Sequence, residues 1–198
     1  MATSLRFLIV GDSGVGKSSI LSRYCYDDFN LDNSHTIGVD LGNKTTTVDD
    51  NVYRVQIWDT AGQDRFRAVV RAYFRSAVAV VLCYDVTVRS SFHSLNGWLT
   101  DCRNSTSSDV VIMVVGNKTD IRDEDNPSVV SYEELKSFAE EGRFLYRETS
   151  AATGENVEDV FNDIIREIAS RKTIVTTLTD DEDLLNTVHQ DPDVGCSC

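Results

Sequence analysis

Gly11-Asp12-Ser13-Gly14-Val15-Gly16-Lys17-Ser18 is the stretch that decides the fold. It fits the spacing G-x-x-x-x-G-K-[ST] of a phosphate-binding loop. The apolar run Leu5 to Val10 ahead of it predicts a buried strand, and Lys17 to Cys25 behind it predicts a helix. Glycines let the backbone wrap an oligophosphate so that successive N–H groups face its oxygens. The positive end of the new helix points at the same anion. The expected phosphate-binding residues here are Ser13, Gly14, Val15, Gly16, Lys17, Ser18 and Ser19. Lys17 brings a point charge to the β- and γ-phosphates, and the Ser18 hydroxyl is a hard oxygen ligand for Mg²⁺. The plainer alternative is a glycine-rich turn; the strand–loop–helix context argues against it.

The chain has 198 residues, enough for one domain and a tail. The expected division is a domain over 1–172 and a tail over 173–198. At 41% hydrophobic it can bury a sizeable core. Met1 to Ser4 runs straight into the first strand, so no secretory signal is expected, and Ala2 excludes N-myristoylation. No apolar run is long enough to span a membrane. Of the five cysteines, Cys25, Cys83 and Cys102 sit in apolar segments and read as reduced core residues of a cytosolic protein. Cys196 and Cys198 stand apart at the end.

Net charge is −13, and the pI is near 4.5. A nucleic-acid partner is therefore not expected, because a phosphate backbone needs a basic face. From Thr173 onward there is no lysine or arginine, while Asp180, Asp181, Glu182, Asp183, Asp191 and Asp193 are acidic. That composition predicts a solvated, flexible tail.

Working outward from the first helix, Asp27 to Ile37 is polar and aperiodic, a long loop of the functional kind. Val39 to Val48 and Val52 to Trp58 read as strands joined by the turn Asp49-Asp50-Asn51, a hairpin. Asp59 to Arg67 reads as a loop and Ala68 to Arg75 as a weak helix. Val78 to Tyr84 and Val110 to Val115 are continuous apolar runs, the mark of buried parallel strands. Between them Phe92, Leu95, Trp98, Leu99 and Cys102 recur at helical spacing. Ser131 and Glu134 form a capping box ahead of Leu135, Phe138 and Ala139, with Gly142 placed to end that helix. Phe144 to Tyr146 reads as a short strand, and Val157, Val160, Phe161, Ile164, Ile165 and Ile168 mark an amphipathic last helix. Strands alternating with helices predict a doubly wound α/β fold. Six strands are expected, mostly parallel, with Val39 to Val48 as an antiparallel edge and helices on both faces. Ligands of such sheets bind outside the carboxyl ends of the strands.

Two further segments fall at those ends. Asp59, closing its strand, suits a water-mediated grip on Mg²⁺ beside Ser18. Gly62 can offer an N–H to a terminal phosphate, and Gln63 can hold a water in line with it. Asn117-Lys118-Thr119-Asp120 follows the second buried run. A carboxylate at Asp120 can accept the N1–H and 2-amino hydrogens of guanine, whereas adenine would leave it unpaired. Asn117 can tie this segment to the phosphate loop, and the Lys118 stem can pack on the base.

Taken together, the chain resembles the Ras superfamily of small GTPases, and within it the Rab family. The resemblance spans roughly residues 5 to 170 and the last three. Its blocks are Gly11 to Ser18, Thr36-Ile37-Gly38-Val39-Asp40-Leu41, Gln56 to Arg67, Asn117 to Asp120, Thr149-Ser150-Ala151 and Cys196-Ser197-Cys198. It implies the P-loop GTPase fold, the G domain, binding GTP or GDP with Mg²⁺. Thr36 would join Ser18 and Asp59 at the metal and give its N–H to the γ-phosphate. Gln63 would be the catalytic residue. Phe29, Ser150 and Ala151 would join Asn117, Lys118 and Asp120 at the guanine. Ile37, Leu41, Trp58 and Tyr73 would form the surface that effectors read in the GTP state. Cys196 and Cys198 would carry prenyl groups.

The implied partners are a guanine-nucleotide exchange factor, a GTPase-activating protein, a Rab escort protein and a guanine-nucleotide dissociation inhibitor. The implied location is the cytoplasmic face of endomembranes, lipid-anchored, with a cytosolic pool. The sequence departs from the family at Asn33, where tyrosine is usual, at Leu41 for phenylalanine, at Ala152 for lysine, and at Ser76 and Ala79 for glycines. None of these removes a phosphate, Mg²⁺ or base-selecting group. The alternative is a non-catalytic guanine-nucleotide-binding interaction module.

Overall fold

The structure is a computed structural model and describes residues 2–30, 39–60, 73–123 and 125–171. Its strands are β1 (Thr3–Val10), β2 (Val39–Val48), β3 (Asn51–Thr60), β4 (Ala79–Asp85), β5 (Val111–Asn117) and β6 (Leu145–Glu148). The α-helices among the described residues are α1 (Lys17–Tyr26), α2 (Arg89–His93), α3 (Leu95–Ser105), α4 (Tyr132–Gly142) and α5 (Val157–Ser170). One sheet holds all six strands in the order β2-β3-β1-β4-β5-β6. Only the β2–β3 pair is antiparallel, at the edge, as expected.

Alternation along the strands sorts the core onto two faces. Leu5, Phe7 and Ile9 of β1 pack with Ile20, Leu21 and Tyr24 of α1 and with Phe161, Ile164 and Ile165 of α5. Leu8 and Val10 point the other way, to Leu95, Trp98 and Cys102 of α3 and Leu135 of α4. Every residue of β4 is buried, because it is central and covered on both faces. The hairpin turns through Asp49 and Asp50, both left-handed at φ 49° and 65°, the geometry that matches strand twist.

Several local expectations need adjusting. The helix read from Phe92 to Cys102 is divided at Ser94, whose N–H and hydroxyl both bond to Ser90 O at 3.0 Å. The capping box at Ser131 and Glu134 forms, but the left-handed residue that ends α4 is Arg143 (φ 56°), not Gly142. Gly142 is needed for space instead: a Cβ there would lie 2.0 Å from the Phe144 ring. β6 runs to Glu148, past the apolar stretch, since Arg147 and Glu148 find Asp163 and Arg122 as partners. The weak helix expected over 68–75 lies mostly outside the described residues; Tyr73 and Phe74 are helical. Among the described residues no helix is long and apolar enough to cross a membrane.

Candidate functional site

The loop between β1 and α1 turns through Gly11, Gly14 and Gly16 at φ 148°, 81° and 94°. At Gly11 a Cβ would stand 2.1 Å from Cys83 O, and at Gly16 it would strike Asn117 Nδ2 at 2.3 Å. Both positions therefore need glycine for space as well as for backbone angle. Ser13 and Gly14 are exposed, Val15 is buried, and Ser18 and Ser19 open α1 half-buried. The Lys17 ammonium, buried, donates to Gly11 O at 2.9 Å and Asp12 O at 2.7 Å. Burial lowers its pKa, opposed first by the charge of Asp59. The same burial pushes the Cys83 thiol up to about 12, so it is an inert core thiol.

Asp59, fully buried near the end of β3, receives the Ser18 hydroxyl on Oδ2. Two hard oxygens from separate elements thus meet under the helix N-terminus. Register places Asp59 beside Ile9 of β1, which fixes that meeting. The next residue, Thr60, donates its hydroxyl to Ile9 O at 2.9 Å and locks the strand end.

Asn117, at the end of β5, links three segments. Its Nδ2 donates to Val15 O at 3.0 Å, and its Oδ1 accepts the Thr149 hydroxyl at 3.2 Å and the Ala151 N–H at 3.1 Å. Lys118, left-handed at φ 72°, sends its ammonium to Asp85 Oδ2 at 2.7 Å. Asp120 is exposed and accepts the Ser150 hydroxyl on Oδ1 at 2.6 Å. The N–H groups of Ser150 and Ala151 are turned to Glu155 O and Asn117 Oδ1, at 3.1 Å each. Phe29 is half-buried against the core face shared by α1 and α5. Phosphate-loop residues and base-segment residues, distant in sequence, are therefore neighbours at one end of the sheet.

Leu41 stands opposite Trp58 across the hairpin and is exposed, and Trp58 meets Tyr73 edge-on at 5.1 Å between ring centres. Thr36, Ile37, Gly62, Gln63 and the departure Asn33 lie outside the described residues, as do Cys196 and Cys198.

Sequence reasoning missed three contacts. The Trp98 indole N–H donates to Asp12 Oδ1 at 2.9 Å and so braces the phosphate loop from α3. Arg23 of α1 donates to Ala151 O at 3.0 Å and Ala152 O at 2.9 Å, clamping the base segment through carbonyls. The side chain at 152 is not needed for that clamp. Asp85 receives Lys118. Only Asp85 left a signal, an aspartate closing an otherwise apolar strand.

Comparison with known proteins agrees with this arrangement. The sequence model of the Ras family matches residues 6–170. Ras-related protein RABA1b of Arabidopsis thaliana is 45% identical over 163 residues, covering 82% of this chain and 74% of the relative. Ras-related protein Rab11B of Nicotiana tabacum is 44% identical over the same span, again 82% of this chain and 74% of the relative. Ras-related protein Rab11D of Lotus japonicus is 45% identical over 163 residues, 82% of this chain and 73% of the relative. With the phosphate loop, the buried aspartate and the base segment assembled on a six-stranded sheet, the chain belongs to the Ras family and, within it, to the Rab small GTPases, which bind and hydrolyse GTP.

Proposed function

We propose that the chain is a Mg²⁺-dependent, membrane-associated GTP/GDP switch in vesicle traffic. The observation that carries the reading is the contact of Ser18 Oγ with the Asp59 carboxylate under the phosphate loop, with Asn117 joining that loop to the base segment. The donor set fits Mg²⁺, which prefers hard oxygens and keeps waters and substrate phosphates as its other ligands. Ser18, Thr36 and Asp59 would hold the ion. Bound there, it would neutralise charge on the β- and γ-phosphate oxygens.

The protein's own groups do the rest. Loop N–H groups from Ser13 to Ser19 hold the phosphates at the N-terminus of α1. Lys17, waiting on two carbonyls in a buried setting, exchanges them for phosphate oxygens. Asp120, steadied by the Ser150 hydroxyl, accepts two hydrogens from guanine, and the Lys118 stem and Phe29 cover the ring. Ser150 and Ala151 reach the base oxygen once their N–H groups leave Glu155 O and Asn117 Oδ1. Gln63 orients the attacking water. Hydrolysis by such a site alone is slow, and an arginine from an activating protein is worth about 10³–10⁵ in rate.

Thr36 and Gly62 hold their loops only while a γ-phosphate is present, so hydrolysis releases them. Effectors read the ordered loops with Leu41, Trp58 and Tyr73. An exchange factor and an activating protein reset the switch. An escort protein and a dissociation inhibitor handle the lipid carried on Cys196 and Cys198. One lipid binds a membrane marginally and two anchor it stably, so both cysteines take part. The protein then divides between the cytoplasmic face of an endomembrane and a cytosolic pool, with no role in nucleic-acid binding.

Single-turnover hydrolysis of bound GTP, with and without an activating protein, tests the reading. Gln63→Leu is expected to keep GTP affinity and to lose most of the activated rate. Activated turnover within about twofold of wild type, under ~0.5 kcal/mol of barrier, would remove Gln63 from the reaction. Wild type that binds GTP and never hydrolyses it would favour the non-catalytic interaction module.

A further inference from the structure

Asp85 closes β4 directly beside Asn117 in the parallel register, and only 7% of its side chain is exposed. Its Oδ1 accepts the Thr87 N–H at 2.9 Å and the Thr87 hydroxyl at 2.7 Å. Its Oδ2 takes the Lys118 ammonium at 2.7 Å. The backbone is held as well: the Asp85 N–H donates to the Ser91 hydroxyl at 3.0 Å. A buried carboxylate satisfied on both oxygens is a fixed acceptor.

Lys118 starts from a left-handed residue at the end of β5. Its Cε passes 3.9 Å from the point where a Cβ on Gly16 would stand. The side chain is therefore strung between strands, its charge on β4 and its methylenes beside the phosphate loop. A lysine stem is flexible and costly to order, so fixing it before the nucleotide arrives lowers the cost of binding. The base-facing segments 117–120 and 150–152 contain no second lysine, because Ala152 offers only a methyl group.

We propose that Asp85 is a positioning residue for the guanine nucleotide, holding the Lys118 ammonium so that the stem, rather than the charge, is presented to the base. The proposal rests on the assignment of Lys118 to the base site. Since the charge is spent on protein, the effect is the same for GDP and GTP. Asp85 touches no phosphate, so the rate of hydrolysis of bound GTP does not depend on it.

The test measures release of labelled GDP and GTP from the full chain. The variants are Asp85→Ala, Lys118→Met, the double variant and Asp85→Asn, with single-turnover hydrolysis alongside. Asp85→Ala is expected to release both nucleotides about tenfold faster, as for loss of one charge-assisted contact. The double variant should release no faster than the quicker single variant, which a merely structural role for Asp85 would not produce. Hydrolysis of bound GTP should stay within about twofold of wild type in Asp85→Ala and Asp85→Asn.

Asp85→Asn keeps the shape and loses the charge; an intermediate release rate is expected, and it stands in if the alanine variant does not fold. Release at the wild-type rate, slower release through an ammonium freed to reach phosphate, or additive effects in the double variant would each overturn the proposal. Asp120→Asn is measured in parallel. If it exchanges guanine for xanthine while Asp85→Ala changes nothing, the base site stands and the positioning role falls. If it does not, the base-site reading falls and takes the proposal with it.

Discussion

Replacing Asn117 by alanine removes the group on which the two halves of the site meet. Asn117 is 1% exposed, so water does not replace what the amide gives up. The amide donates to Val15 O at 3.0 Å and accepts from Thr149 Oγ1 at 3.2 Å and from the Ala151 N–H at 3.1 Å. Each lost bond leaves a buried partner unsatisfied, at about 1–3 kcal/mol. In the nucleotide-bound protein, where the Ala151 N–H is proposed to leave Asn117, the lower end of that range, applied to the two bonds that remain, gives a loss of about 2 kcal/mol for Asn117→Ala. Thr149→Val removes only the hydroxyl contact and should cost about 1 kcal/mol. Urea unfolding at fixed excess GDP measures both, because the loss then appears in the nucleotide-bound protein. Equal losses for the two variants, or a loss under about 0.5 kcal/mol for Asn117→Ala, would show that Asn117 does not join the segments as described.

Two further outcomes follow from the same geometry. Trp98→Phe keeps most of the buried ring and loses the donor to Asp12; a stability loss of about 2 kcal/mol is expected in urea unfolding, and no loss would exclude Trp98 as a brace for the phosphate loop. Glu134 is held at about 2, below its ordinary 4.5, by the Arg89 guanidinium and then by the Ser131 N–H. A depressed carboxyl contributes stability above its unfolded value and loses it as pH falls through the folded one. Melting temperature should therefore drop more steeply for wild type than for Glu134→Gln between pH 4.5 and about 2, and parallel curves would contradict the assignment.

The parts of the site that were legible in the sequence are those made by contiguous residues. A phosphate loop is a local object, since its glycines, lysine and serine must follow one another for the backbone to fold round an anion. The same holds for Asn117 to Asp120 and for the capping box at Ser131. The hairpin followed from the turn residues Asp49-Asp50-Asn51 between two strand-like runs, and the buried central strands from the apolar runs that form β4 up to Tyr84 and β5 up to Val115.

Contacts that depend on register or on packing were not legible. Arg23 reaches Ala151 across 128 residues and Trp98 reaches Asp12 across 86. No local pattern marks an arginine on a helix face as a clamp for carbonyls, or an indole as a brace. The helix does end at Gly142, but the left-handed angle falls on Arg143, and the glycine makes room for Phe144, which no local pattern marks. The charged end of β6 is hidden for a related reason: Arg147 and Glu148 look unlike strand until their partners Asp163 and Arg122 are known.

The central claim is that Asp120, on a base segment tied to the phosphate loop, selects guanine. Competition binding of GTP, ATP and xanthosine triphosphate to wild type and to Asp120→Asn tests it most directly. The account predicts that wild type prefers GTP and excludes ATP. In Asp120→Asn one acceptor becomes a donor suited to the oxygen at C2 of xanthine, so GTP should weaken and xanthosine triphosphate should gain. An unchanged order of preference in Asp120→Asn would contradict the account.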